Sequence, residues 1–272
     1  MAKLYIVSTP IGNLGDITYR AVETLRSVDF VASEDTRVTL KLLNHFGIQK
    51  PMVSYYEHNK AQRGDVIVKR ILSGESCALT TDAGTPAISD PGSMLVRQCR
   101  EAGIEVVSVP GACAAVAAFS MAGLDSGRFT FEGFLAMNRR GRKEHLESLR
   151  TERRPMIFYE APHKLLSTLE DMSGVFGEDR RLFIAREITK MHEQCISLTF
   201  REAIEMYKEN PPRGEFVLII EGRGEAEAEY TLQDAIDLAK ELIDSGMSSR
   251  DAAREASAKT GVPKNNIYSG II

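Results

Sequence analysis

A chain of 272 residues, 43% hydrophobic and 26% charged, with 21 Gly and 10 Pro, is too long for a small stapled scaffold and too apolar for bulk disorder. It has the length for two ordinary domains or one large α/β domain with a sizeable core. Its 34 Lys+Arg against 38 Asp+Glu leave a formal net charge of −4, so a polycationic coat for nucleic acid is excluded and any such contact must be a local patch.

Leu4 to Val7 reads as a strand, and Asp16 is placed to cap a helix with apolar positions Ile17, Ala21, Val22 and Leu25. Phe30 to Ala32 predicts a second strand and Thr36 to Phe46 a helix closed by Gly47. A helix near Gln62 to Leu72, a strand at Ser76 to Leu79, a helix from Ser93 to Ala102 and a strand at Glu105 to Val109 follow, leading into an Ala-rich helix. Strands separated by helices imply βαβ crossovers, a mostly parallel sheet and helices on both faces. The stretch Val106 to Leu124 carries no charged side chain and is long enough to span a bilayer, but Pro110-Gly111 cuts it into a β-branched run and an Ala-rich run. That pattern predicts a buried strand turning into a buried helix.

Turn residues at Asp125-Ser126-Gly127 mark a boundary. Beyond it, strands are predicted at Phe129 to Leu135, Pro155 to Tyr159, Arg181 to Ala185 and Glu215 to Ile220, with helices at Arg142 to Leu149, Pro162 to Phe176 and Phe200 to Tyr207. The acidic, Gly/Ala-rich run Glu221 to Glu229 reads as a solvated linker. The tail has helical periodicity and fits two or three short helices. The organisation is therefore 1–125, an N-terminal α/β domain; 126–222, a second α/β domain with a mixed sheet; 223–230, a linker; and 231–272, a small helical module.

Cys77, Cys99, Cys113 and Cys195 form no CxxC pair, and the five histidines no HExxH, so neither a disulfide frame nor a metal site is expected. The apolar run before Pro10 and Gly12 is too short for a signal peptide. A cytoplasmic protein without a membrane partner is the expectation.

Loops at the carboxyl ends of parallel strands gather where open α/β proteins bind ligands. Four of them are rich in turn residues: STPIGNLGD (Ser8 to Asp16), ASEDTR (Ala32 to Arg37), TDAGTPAISDPG (Thr81 to Gly92) and VPGACAA (Val109 to Ala115). None carries GxGxxG or GxxxxGK[ST], which argues against a dinucleotide or triphosphate cradled on a helix N-terminus. Glu34 and Asp35 can hold a cation or act as a base; alternatively Asp35 caps the next helix and Arg37 pairs on the surface. The length of the loop with Asp82 and Asp90 marks it as functional.

The segments STPIGNLGDIT, ASEDTR, TDAGTPAISDPG, PGACAA, YEAPHKL and AREITKMHE, in this order over nearly the whole chain, resemble the bacterial ribosomal RNA small-subunit methyltransferase I family. The resemblance implies the two-domain tetrapyrrole methylase-like fold and S-adenosylmethionine as cofactor. It further implies 2′-O-methylation of a cytidine ribose in the decoding region of 16S rRNA, within the 30S subunit, by a homodimer. By resemblance, Gly84, Thr85, Pro86 and Ile88 stand where a Gly-Asp-Pro segment lines the cofactor, with Thr85 in place of the Asp. Pro10, Asp82, Pro110, Gly111, Ala112, Cys113, Tyr159, Glu160 and Ala161 complete the expected cofactor site.

In-line methyl transfer gains from a base that takes the hydroxyl proton, and Glu34, Asp35 and Glu187 are the candidates, with Arg186 or Arg37 holding a flanking phosphate. Between Asn138 and Arg154 seven basic residues face three acidic ones, the most basic segment of the chain. Arg139, Arg140, Arg142 and Lys143 are the expected RNA contacts. Leu232 to Ile272 carries five basic and six acidic residues, so RNA binding and packing or dimer support stay equal alternatives for the tail. Competing functions are methylation of a tetrapyrrole or protein residue on the same fold, and a non-catalytic cofactor-binding module on the ribosome.

Overall fold

Parallel strands sandwiched between helices must be apolar on both faces, and the first half of the chain supplies them. In the computed structural model, which describes residues 1–125, 127–224, 231–260 and 262–271, β1 (Leu4–Val7), β2 (Phe30–Ser33), β3 (Met52–Ser54), β4 (Cys77–Thr80) and β5 (Val106–Val109) form one sheet in the order β3-β2-β4-β1-β5. Every pairing in it is parallel. All four residues of both β2 and β4 are buried. The intervening helices are α1 (Tyr19–Ser27), α2 (Thr36–His45), α3 (Lys60–Leu72), α4 (Gly92–Glu101) and α5 (Ala114–Met121).

The second sheet runs β6 (Thr130–Phe134), β7 (Met156–Glu160), β10 (Phe216–Ile220), β8 (Arg181–Arg186), β9 (Gln194–Thr199), in that spatial order. It is mixed: β6 pairs parallel with β7, and the other pairings are antiparallel. Helices α6 (Arg139–Ser148), α7 (Pro162–Phe176) and α8 (Phe200–Glu209) accompany it. Its core is built on Phe158, Leu165, Leu169, Phe200 and Leu218. A second apolar layer joins Ile157, Val217 and Ile219 to Ala115 and Ala118 of α5, which locks the Ala-rich helix onto this sheet.

Two compact units divide the chain, Met1–Gly222 and Arg223–Ile272. The second contains α9 (Leu232–Asp244), α10 (Ser249–Thr260) and α11 (Lys264–Ile271), packed on Ala235, Ala239, Ala253, Ala256 and Ile267. Small residues there let the helices approach closely. Within the first unit we propose 1–125 and 126–222 as two domains, each with its own sheet. Ser126 of the expected boundary and residues 225–230 of the expected linker lie outside the described residues. No helix among the described residues is long and apolar enough to cross a membrane.

Some local expectations are corrected. Asp16 does not cap α1; it closes a short 3-10 turn, and the Thr18 side chain accepts from the Ala21 N–H instead. The helix expected from Arg142 begins three residues earlier, at Arg139, because Asn138 caps it through the Gly141 N–H. Two strands were not anticipated, β3 and β9. The first has only three residues, and the second is an edge strand whose Gln194 and Cys195 are exposed, which blurs its alternation.

Candidate active site

The loops after β1, β4 and β5 converge because their ends are stitched together. The Thr9 N–H donates to the Gly84 carbonyl (2.9 Å) and the Gly84 N–H donates back to Thr9 (3.1 Å), an isolated antiparallel bridge. The Thr85 hydroxyl donates to the Ala112 carbonyl (3.0 Å) and lies 3.0 Å from Ser8 Oγ. Gly111 packs flat on β1's end: a Cβ there would stand 2.7 Å from that of Ser8. Asp90 Oδ1 accepts from the Ala87 and Gly92 N–H groups (2.8 and 2.9 Å) and holds Ala87 at φ +68°, a conformation that costs a non-glycine residue energy.

Facing these loops are the ends of β6, β7 and β10 and the segment after β8. Together they enclose a cavity of about 520 Å³, within the ~300–1,000 Å³ of small-molecule sites. One wall is the 81–90 loop. The other is aromatic and acidic. Tyr159 stacks edge-on against Phe131 and Phe134, at 5.2 and 5.5 Å between ring centres, and its hydroxyl accepts from the Ala115 N–H at 3.1 Å. Burial pushes the Tyr159 phenol up to about 12, so it stays protonated across the physiological range. Glu160, 5% exposed, accepts from Thr168 Oγ1 (2.6 Å) and the Ala161 N–H (2.8 Å), which satisfies a carboxylate that burial would otherwise disfavour.

Six carboxylates line the cavity: Glu34, Asp82, Asp90, Glu160, Glu187 and Glu215. Lys190, the cation among its described lining residues, is neutralised by Glu187 and Glu215, each 2.8 Å away. Those bonds outweigh the burial that would lower the lysine and raise it above its ordinary value. In turn, Lys190 holds Glu187 below the usual glutamate range. Burial, aided by the neighbouring charge of Glu34, raises Asp82, and burial raises Asp90. A negative lining with its cation compensated suits a positively charged small molecule.

Of the residues singled out in the sequence, Glu34, Asp82, Gly84, Thr85, Ile88, Cys113, Tyr159, Glu160, Ala161 and Glu187 line this cavity. Pro86, Pro110, Gly111 and Ala112 lie outside its lining; Gly111 and Ala112 act on it through the loop contacts above, while Pro10 lines a neighbouring, smaller cavity. Asp35 and Arg186 face neither. Asp35 caps α2 through the Arg37 N–H and pairs with the Arg37 guanidinium, which holds its carboxyl at about 2, too acidic for a base at neutral pH. Arg186 Nε donates to the Arg213 carbonyl.

On α6, Arg139, Arg140 and Lys143 are exposed. Arg142 is not: its side chain is 14% exposed and bonds Asp171 of α7 at 2.6 Å, so it is a strut between two helices. Lys190, Phe134, Ile11 and Glu215 are cavity residues that loop chemistry alone did not select. Lys190 stands inside the AREITKMHE segment, and its flanking Glu187 and Thr189, both at positive φ, mark that segment as strained. Among the described residues no His/Cys/Asp/Glu group is arranged to hold a metal ion.

Residues 3–204 match the model of the tetrapyrrole (corrin/porphyrin) methylases. The chain is 46% identical over 269 residues to a ribosomal RNA small subunit methyltransferase I of Synechocystis sp., covering 98% of this chain and 96% of the relative. With the protein of the same name from Bacillus subtilis it shares 42% over 273 residues, covering 98% and 93%. Among solved structures, diphthine synthase superposes with a TM-score of 0.62 at 13% identity, covering 81% of this chain and 90% of that one. Uroporphyrin-III C-methyltransferase from Thermus thermophilus, complexed with S-adenosyl homocysteine, gives 0.58 at 14%, covering 81% and 97%. Identities this low establish the fold, whereas the near-complete match at over 40% establishes the family: the chain belongs to the ribosomal RNA small subunit methyltransferase I family, on the tetrapyrrole methylase fold.

Proposed function

We propose that this chain methylates the ribose 2′-oxygen of a cytidine in the decoding region of 16S rRNA, with S-adenosylmethionine as the methyl source. One observation carries the reading: the acid-lined cavity, whose lysine is already neutralised, in a chain of a methyltransferase family. The cofactor has a sulfonium, an ammonium, a carboxylate and an adenosine but no phosphate, and the residues present fit it. Glu34, Asp82 and Asp90 supply negative charge, the 81–90 backbone supplies hydrogen-bonding groups, and Tyr159 with Phe134 offers an aromatic wall.

When bound, the cofactor supplies a methyl group on a positively charged sulfur, a strong electrophile. The chain's contribution is to exclude stray cations, hold both reactants and remove a proton. Fixing two reactants in line is worth up to ~7–11 kcal/mol of barrier, so much of the acceleration can come from positioning by the stitched loops. Glu34, whose Oε2 accepts from Thr81 Oγ1 at 2.7 Å, is held in place as a candidate proton acceptor, and Glu187, tied to Lys190 and lowered by it, is the weaker candidate. Arg139, Arg140 and Lys143 are proposed to track the RNA backbone. In line with the motif resemblance, we extend the proposal to a cytoplasmic homodimer acting on the 30S subunit.

The test is incubation of the purified chain with methyl-labelled cofactor and, separately, 30S particles, naked 16S rRNA or small tetrapyrroles. Label in one cytidine ribose, located by nuclease digestion and mass spectrometry, is the expected result. Label in a tetrapyrrole, or none in any arm, overturns it.

A further inference from the structure

A second cavity, of about 310 Å³, opens between the loop after β1 and helix α2. It shares Ile11, Thr81, Asp82, Ala83, Lys190 and Glu215 with the larger one, so the two chambers are divided by one wall of residues. Their chemistry differs. Where the larger is acid-lined, the smaller adds Pro10, Leu14 and Val38, the last two apolar and exposed, and the exposed Lys41. Arg37 lies one helical turn before Lys41 on the same face of α2, outside the cavity lining and paired with Asp35 at 2.6 Å. An apolar floor with the exposed Lys41 at its rim suits a splayed-out nucleotide: a surface for base and sugar, and positive charge for a flanking phosphate.

The wall is held in place. Gly12 lets the loop after β1 press on the segment after β8, since a Cβ there would stand 2.5 Å from Lys190 Cγ and 3.0 Å from Thr189 Oγ1. Thr189 and Glu187 sit at φ +68° and +51°, and Thr189 Oγ1 is buried without a partner. Strain and an unsatisfied hydroxyl concentrated at one junction point to a place under functional constraint.

We propose that the smaller cavity is the acceptor subsite, which seats the RNA nucleotide, and that Asp82 on the shared wall takes the proton of its ribose hydroxyl. This rests on the methyl-transfer reading above. Transfer requires the hydroxyl oxygen and the methyl carbon to come within ~3–3.5 Å, which adjoining chambers permit only across their common wall. There the new O–CH3 bond forms as the CH3–S bond breaks, the bonding pair leaves with sulfur, and the hydroxyl proton passes to the Asp82 carboxylate and then to solvent. Asp82 is pinned for this by the Asp35 N–H, 3.1 Å from Oδ1, and burial beside Glu34 raises its proton affinity, the direction a base at neutral pH requires.

The experiment compares wild type with Lys41→Glu, Val38→Trp and Asp82→Asn. Cofactor affinity is read by calorimetry, 16S rRNA affinity by filter binding without cofactor, and kcat and KM on 30S particles. Lys41→Glu and Val38→Trp are expected to weaken RNA binding and raise KM about tenfold or more with cofactor affinity unchanged, since each alters only the smaller chamber. Asp82→Asn is expected to lower kcat about 100-fold with RNA affinity unchanged, and to lack the rise of kcat with pH expected of wild type. Wild-type RNA affinity and KM in both α2 variants, with cofactor bound normally, overturns the acceptor subsite, and wild-type kcat in Asp82→Asn overturns the base. Absence of cofactor binding in wild type instead overturns the methyl-transfer reading itself.

Discussion

The hydroxyls of Thr85 and Ser8 stand 3.0 Å apart, and Thr85 also donates to the Ala112 carbonyl, so one threonine ties the loops after β1, β4 and β5 into a single wall. Thr85→Val keeps the shape and removes both bonds. Each such bond contributes ~0.5–1.5 kcal/mol, so a loss of about 1–3 kcal/mol in urea unfolding is expected, with weaker cofactor binding by calorimetry. Unchanged cofactor affinity would show that the tie does not shape the cavity.

Glu187 and Lys190 make a pH-dependent clamp. The folded-state pKa of Glu187 lies below its ordinary 4.5, so its contribution to stability is present above 4.5 and is lost as pH falls through the lowered folded value. Lys190→Met removes the cause. The Glu187 titration, followed by carboxyl NMR, is expected to move up toward the ordinary value, and the acid limb of the stability curve to flatten. A Glu187 titration unmoved by the substitution would mean that Lys190 does not hold it.

Much of this was legible in the sequence where chemistry and geometry coincide. The strand at Leu4 to Val7 and the helix at Pro162 to Phe176 are seen at the expected residues, because a buried apolar run and a Pro-initiated amphipathic run leave few alternatives. Four loops rich in turn residues or carboxylates were singled out, and residues of all four line the cavity. What the sequence did not disclose were meetings across space: Arg142 with Asp171, Lys190 with Glu215, and Phe134 with Tyr159. Composition marked Arg142 as one of a basic run. Only the packing of α6 on α7 separates it from its exposed neighbours.

That separation is itself testable. Arg142→Ala removes a mostly buried partner of Asp171 and is expected to cost about 1.5–3 kcal/mol, the range for a hydrogen bond to a charged group, while leaving the salt dependence of RNA binding near wild type. Arg139→Glu with Arg140→Glu is expected to do the reverse. The Arg140 pair with Glu144 is fully solvated, at 89% and 63% exposure, and adds little to stability. RNA affinity and its salt slope should both fall, with the unfolding midpoint unchanged. A steeper loss of RNA affinity in Arg142→Ala than in the double reversal would return Arg142 to the RNA face.

Asp82 gives the opposite pH signature to Glu187. Its folded-state pKa is raised above the ordinary 3.8, so the folded chain holds that proton more tightly than the unfolded one. Its favourable contribution is therefore complete at low pH and declines as pH climbs from 3.8 through the raised value. Asp82→Asn cannot ionise but still presents an oxygen to the Asp35 N–H, so the decline should vanish while the loop stays in place. In the cofactor-free protein the variant is expected to match or exceed wild type in urea unfolding at neutral pH, and to fall behind it in methyl transfer. A group retained at a cost to stability and needed for turnover belongs to the chemistry. Were the variant to unfold more readily at neutral pH, Asp82 would be a structural support of the shared wall, and the proton would have to leave by another carboxylate.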